Sequence, residues 1–305
     1  MTTQTTQQRI NQLIKADDQS ANVIRGYYQE ALDHIKNHLM QFYIRYADAT
    51  GLSVQQVKGR VNQWDIMQFK QAIDRLDEAT TKMSTDDREE FNQRRKIAVV
   101  EGSSTQRKQL LMGIVAVVVL TATVKANKHL RDRLSMDVKD EIKYLGLSRA
   151  QKRELLAYTD DYTANLSGSV WEASDSLNYA LHDLVNKKIS GKGITSADLQ
   201  KLFPYLKPTG NKAGTVTSAV HSAEYKVTRA MRWWSSRETD EIAMATFKQR
   251  GVVQVNIVNE PGACQTCAAI ADDGPYYLSD CPDLPIHNNC RCHKEAYRVS
   301  LSSLI

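Results

Sequence analysis

No cysteine occurs before Cys264, and all five that the chain has lie in GACQTCAAIADDGPYYLSDCPDLPIHNNCRCHK, residues 262–294. A secreted fold stapled by disulfides usually spreads its cysteines to tie distant segments together. This distribution therefore favours a metal site written in CxxC and CxC pairs. An export signal is missing too: MTTQTTQQRINQLIKADDQ is polar throughout, without the charged-then-apolar order of a secretory leader. Synthesis in a reducing cytosol is expected.

Strong charge of either sign is also lacking. Forty Lys and Arg against 35 Asp and Glu leave a net charge of +5. With a pI near 8.8, the chain suits DNA or an acidic partner but falls short of a dedicated nucleic-acid binder. There is no G-x-S-x-G nucleophile elbow and no Gly-rich loop to cradle phosphate. The isolated His182-Asp183 pair reads as polar residues on a helix surface. No apolar run reaches membrane length: LLMGIVAVVVL, Leu110 to Leu120, even extended to Val124, is shorter than the roughly 20 residues a spanning helix needs. It is expected to be a helix buried in this chain or against an identical neighbour, with no stable transmembrane span.

What is present is enough sequence for a core: 305 residues, 42% of them hydrophobic, room for two domains or one large one. Ile24, Tyr28, Ala31, Ile35, Leu39, Phe42 and Tyr46 recur every three or four residues and predict one helix with a packing stripe. Thr50 and Gly51 interrupt it, and Ser53 with Gln56 has the capping-box form that starts a new helix. The same grammar returns where Gly146 breaks a helix containing Val138, Ile142 and Leu145, and Ser148 with Gln151 caps the next. Such segments predict long helices and helical hairpins over 1–186. From 187 to 251 the texture changes. KKISGKGITSADLQKLFPYLKPTGNKAG predicts two loops around a helix from about Ser196 to Leu206. A long basic helix, Ala219 to Arg250, follows and stops at Gly251. On it, Lys226, Arg229, Arg232, Trp233 and Arg237 are candidate DNA contacts, since Arg binds phosphate and Trp stacks on bases. The competing expectation is a solvated cationic face with its tryptophans packed on a neighbour.

After Gly251 the apolar period becomes two, at Val253, Val255 and Ile257, which predicts a strand; a second, through Tyr297, Val299 and Leu301, can pair with it. Between them lie Cys264, Cys267, His287, Cys290 and Cys292, five candidates for the four places of a closed tetrahedral zinc site. In an extended CxC both side chains point the same way, so either Cys290 or Cys292 can bind; Cys292 is preferred. Cys281 is expected to be a free thiol, and His293 to point away from the CxC face. The fold expected is mainly α, with a small C-terminal α+β zinc-binding module of two strands over 252–305.

A strand, a CxxC pair, a loop of some twenty residues and HxxCRC near the C-terminus resemble the phage Mu protein F-like family, the minor head or head morphogenesis proteins of tailed bacteriophages. The resemblance runs from about Ala164 to Val299, through ISGKGITSADLQ, QRGVVQV, PGACQTC and LPIHNNCRC. Asn288 stands where that family usually has Pro, which is not a ligand. The Thr-Glu pair common in its preceding helix has only Glu238 as a loose counterpart. The resemblance implies a non-enzymatic minor capsid protein, made in the host cytoplasm and retained in the virion head. Its implied partner is the portal, with scaffold and major capsid protein as further head partners, phage DNA secondary, and an oligomeric arrangement in the particle. Its roles would be procapsid assembly and DNA ejection or delivery. The enzymatic alternative is an HNH-like metal-dependent nuclease. Cys264, Cys267, His287, Asn289, Cys292 and His293 superficially match that pattern, but such nucleases usually end in CxxCH where this chain has CRCH. Their chemistry needs a histidine base beside a separate cation.

Overall fold

The structure, a computed structural model, describes residues 4–81, 83–156, 159–189, 193–205 and 214–297. Among these residues are ten helices and three strands: α1 (Thr6–Tyr46), α2 (Val54–Val57), α3 (Gln63–Thr80), α4 (Arg88–Gly102), α5 (Arg107–Tyr144), α6 (Arg149–Leu156), α7 (Thr159–Ile189), α8 (Ser196–Gln200), α9 (Val216–Gln249), β1 (Gln254–Val258), α10 (Gln265–Asp272), β2 (Tyr276–Tyr277) and β3 (His293–Ala296).

Local chemistry sets most of the boundaries. At the start of α1 the Thr5 hydroxyl accepts from the Gln8 amide, and the Gln8 side chain accepts from the Thr5 amide. That reciprocal pair satisfies two of the free donors at a helix N-terminus. Ser53 with Gln56 caps α2 in the same way, but α2 is a single turn; the next long helix, α3, starts from a second box made by Asn62 and Asp65. Ser148 and Gln151 cap α6. Gly146 and Gly251 take φ of 64° and 66° just past the ends of α5 and α9, the left-handed conformation that favours glycine. The helix expected over 196–206 is the five-residue α8, and 206–213 lie outside the described residues.

Contacts divide the chain into two compact units of discontinuous segments. One comprises Met1–Asn22, Leu130–Leu166 and Thr228–Ile305; the other comprises Val23–His129 and Ser167–Val227. These units do not follow the sequential divisions at 186 and 251, because α1, α5, α7 and α9 each contribute residues to both.

In the Val23–His129 and Ser167–Val227 unit, the apolar stripe of α1 is buried from Ile24 through Phe42 as its spacing requires. Leu110 to Leu120 of α5 are buried at every position. Each side of α5 meets another helix: Gly113 packs against Gly102 of α4, the Thr123 hydroxyl bonds Ser174 of α7 at 2.8 Å, and Lys125 pairs with Glu30 of α1. By length and composition α5 is apolar enough to cross a membrane, yet 83% of its most apolar window is buried inside the protein. The apolar run is shorter than the helix that contains it, because α5 continues past Val124 to Tyr144 as an amphipathic helix with Leu130, Leu134, Val138 and Ile142 buried. In the same unit Leu52 and Ile194 exchange backbone hydrogen bonds. There Gly51, at φ 102°, has no room for a Cβ, which would lie 2.5 Å from the Ile194 carbonyl oxygen.

The other unit packs α5, α9 and the sheet around Val138, Ile142, Leu145, Ile242, Ala243, Phe247 and Val255. Its sheet has three strands in the order β2-β1-β3, all antiparallel, with Val255 opposite Tyr276 on one side and Ala296 on the other. Val255 and Ile257 are buried as their alternation requires. Val253 lies before the strand and is exposed. The closing strand corrects the sequence reading: it runs over 293–296, ahead of Tyr297, because its register is set by Val258 pairing with His293. Val299 and Leu301 lie outside the described residues.

Candidate metal centre

β1 leads through Pro261 and Gly262 into α10. Cys264 is the N-cap of this helix and Cys267 lies in its first turn. A CxxC pair at a helix start places two sulfurs on the same end of the helix. The backbone amide of Cys267 lowers the Cys264 thiol pKa, although it stops short of a capping hydrogen bond. From the β2–β3 connection come His287, Cys290 and Cys292.

The five residues form two triangles that share Cys267. Cys264, Cys267 and His287 make one; Cys267, Cys290 and Cys292 make the other, with the ligand atoms in each within 4.8 Å of one another. The cluster can hold a metal ion. Within it Cys264 Sγ lies 3.4 Å from His287 Nε2, and Cys267 Sγ lies 3.8 Å from Cys290 Sγ. Cys264 is exposed, while Cys267, Cys290 and Cys292 are buried, packed with Ile257 and Leu284. The inner triangle also has a distinct electrostatic character. The hydrogen bond from Cys292 lowers Cys290 to about 6. The proton this leaves on Cys292, together with burial, raises Cys292, and burial pushes Cys267 up to about 12. Cys281 belongs to neither triangle; its sulfur lies 3.8 Å from the Pro282 carbonyl, and burial raises its pKa.

Between and beyond the two cysteines, alternate side chains turn to the helices. Arg291 makes a two-pronged pair with Asp17 of α1, Nε to Oδ2 at 2.7 Å and Nη2 to Oδ1 at 2.5 Å, and donates to Ser235 of α9 at 3.0 Å. His293 Nε2 lies 3.0 Å from Glu141 of α5, which also accepts from Arg9 of α1 at 2.8 Å. The Glu295 carboxylate accepts from the Thr6 hydroxyl at 2.6 Å. On the other parity, Lys294 reaches Asp240 of α9 at 2.9 Å. Arg291, His293, Lys294, Asp17, Glu141 and Asp240 are all buried. Buried charges of this kind persist only when paired and hydrogen-bonded. Burial pushes Glu141 up, but His293 and Arg9 outweigh it and hold the carboxyl below its ordinary value. Burial likewise pulls His293 down, and Glu141 reverses this and raises it. Arg133, which contacts Asp17 and Asp137, is lowered to about 10 by burial and then by neighbouring Arg291.

The candidate DNA contacts on α9 have mixed surroundings. Lys226 is exposed, and Arg229 and Trp233 are half-buried. Arg232 turns to Asp17 at 3.2 Å and Glu260 at 3.5 Å. Arg237 pairs with Glu241 and Asp283 at 3.1 and 3.0 Å. Two of the five thus direct their charge within the fold, leaving less of it for phosphate than the sequence suggests.

Sequence reasoning finds the cysteine cluster but misses Arg291 and Lys294 as buried residues with Asp17 and Asp240 as their partners, and Glu141 as the partner of His293. A signal exists for Arg291: the residue between two same-facing cysteines must face the other way. Nothing local indicates its partner, 274 positions earlier in the chain. Comparison of the chain with protein-family models, with curated proteins and with solved structures gives no match.

Proposed function

We propose that the chain is a minor capsid, head morphogenesis protein of a tailed bacteriophage. In this reading it binds the portal inside the head and acts in procapsid assembly or DNA delivery, with a structural zinc ion at its C-terminal cluster. The observation that carries the structural role is the double use of the segment holding the family resemblance. Within CRCHKE, the cysteines meet the cluster while Arg291, His293 and Glu295 meet Asp17, Glu141 and Thr6. A segment used on both faces suits a cross-link better than a substrate cleft.

Zinc fits the donor set. A tetrahedron with Zn–S of about 2.3 Å and Zn–N of about 2.0 Å has S–S edges of about 3.8 Å and S–N edges of about 3.5 Å. The 3.8 Å between Cys267 and Cys290, and the 3.4 Å between Cys264 and His287, agree with those edges. We therefore assign Cys264, Cys267 and His287 as three ligands and favour Cys290 as the fourth over the Cys292 preferred from sequence, on its 3.8 Å edge to Cys267; Cys290 would have to close on the outer triangle, since it does not lie within 4.8 Å of both Cys264 and His287. Ligation through Nε2 puts the His287 proton on Nδ1, so the Asn289 amide now 3.4 Å from Nδ1 would turn away. Zinc would supply folding free energy to a small module. The nuclease alternative draws less support. It needs a histidine base beside a separate cation, whereas His287 lies in the outer ligand triangle and His293 is 4% exposed and held by Glu141.

The test is a pull-down of portal by tagged protein from infected cells. Recovery that survives nuclease and about 0.3 M salt, which strips weak phosphate-driven association, supports the reading. If recovery vanishes with nuclease, or if portal is never recovered while DNA is, the portal assignment fails.

A further inference from the structure

We propose that metal occupancy of the cysteine cluster controls docking of the first turns of α1, with Arg291, His293 and Glu295 as the coupling residues. The inference deepens the zinc reading of the same site and rests on it. Three side chains of one parity reach the start of α1, Arg291 and Glu295 directly and His293 through Glu141 of α5. Arg291 meets Asp17, His293 meets Glu141 where Arg9 also binds, and Glu295 meets Thr6. The extended span from Arg291 to Glu295 lies along about three helical turns, from Asp17 back to Thr6, which sets an extended segment against a helix. On the alternate side, Cys290 and Cys292 face the cluster. The backbone that carries the couplers is thus the backbone that metal–sulfur bonds would fix. A bidentate guanidinium–carboxylate pair tolerates little displacement. Removing the ion leaves 293–296 paired with β1 and Lys294 on Asp240, while the holds on 290–292 include the Glu260 carboxylate on the Arg291 amide and the Ser236 hydroxyl on the Cys290 carbonyl, each at 2.9 Å. The last two come from α9 or the turn after β1, and neither involves α1. Loss of metal therefore loosens 290–292 and, through the Arg291–Asp17 pair, residues 6–17, exposing Ile10 and Leu13, which are otherwise buried.

The experiment is amide hydrogen exchange on the full chain, metal-loaded, chelated and reloaded with zinc, with metal content measured in each state. Exchange in residues 6–22 should rise at least tenfold on chelation and return on reloading, while α3 stays unchanged. Asp17→Asn should retain the metal yet show fast exchange in 6–22 in both states. The milder Thr6→Ala removes only the Glu295 contact and should raise exchange near the helix start without altering metal content, which covers the case in which Asp17→Asn does not fold. If chelation demonstrably strips the ion and loosens 254–296 but leaves 6–22 protected, the coupling is overturned while the zinc reading stands. If the purified chain carries no metal and takes none up, both fall together.

Discussion

Gly102 and Gly113 meet backbone to backbone: a Cβ on Gly113 would lie 2.4 Å from the Gly102 amide nitrogen, and one on Gly102 would lie 2.0 Å from the Phe69 ring. No L side chain fits between α4 and α5 at this crossing. Since the atoms met by Gly113 are backbone and cannot swing aside, Gly113→Ala should cost about 1–3 kcal/mol through overpacking. Denaturant unfolding checks this; a variant as stable as the parent would mean the helices separate freely there.

Asp17 serves Arg291, Arg133 and Arg232 at once. Arg291→Gln removes one cation and should destabilise its unit by about 3–5 kcal/mol, the usual cost of breaking a buried pair. Asp17→Asn leaves three guanidinium groups without their shared carboxylate and should cost at least as much. Equal stability of both variants with the parent would show that the network contributes nothing.

Glu238 is buried, and neither of its carboxyl oxygens has a hydrogen-bond partner among the described residues. Burial, and then nearby Glu241, pushes its pKa from 4.5 to about 8. Above the unfolded pKa the unfolded chain releases this proton while the folded chain keeps it, so stability falls as pH rises from about 4.5 to about 8 and then levels off. Glu238→Gln, which mimics the protonated form, should match the parent near pH 4 and exceed it by a few kcal/mol above pH 8, since each tenfold difference in proton affinity between the folded and unfolded chain is worth about 1.4 kcal/mol. Unfolding curves at both ends of that window provide the measurement; a constant difference would contradict the assignment.

Val117 is fully buried in α5. Val117→Asp places an unpaired carboxylate there and should cost about 4 kcal/mol or more, lowering the melting temperature or the folded yield. The folded parent should not float with liposomes. Flotation of the parent that Val117→Asp abolishes without affecting folding would mean the helix meets lipid.

The parts legible in the sequence are those whose causes are local. The α1 stripe, the Ser53 and Ser148 caps and the Gly146 and Gly251 stops each rest on residues within a turn or two, and each occurs where the pattern puts it. The Asn62-Asp65 box escapes a search for Ser or Thr with Glu or Gln because it is the Asn/Asp variant of the motif, so Ser53 is read as a helix start and Asn62 is not. Alternation at 297–301 puts β3 too late because it says nothing about register, which Val258 and His293 decide. The cysteine cluster is legible because its spacing is itself the chemistry. Its attachment to Asp17 and Glu141 is not, since pairs 274 and 152 positions apart leave no periodic trace.

Metal analysis of the purified chain, with thiol titration before and after chelation, tests the central claim most directly. The account predicts about one zinc per chain, with Cys264→Ser and Cys290→Ser each losing most of it and Cys292→Ser retaining it. Well under half an equivalent, with all five thiols freely reactive in the folded protein, would contradict it.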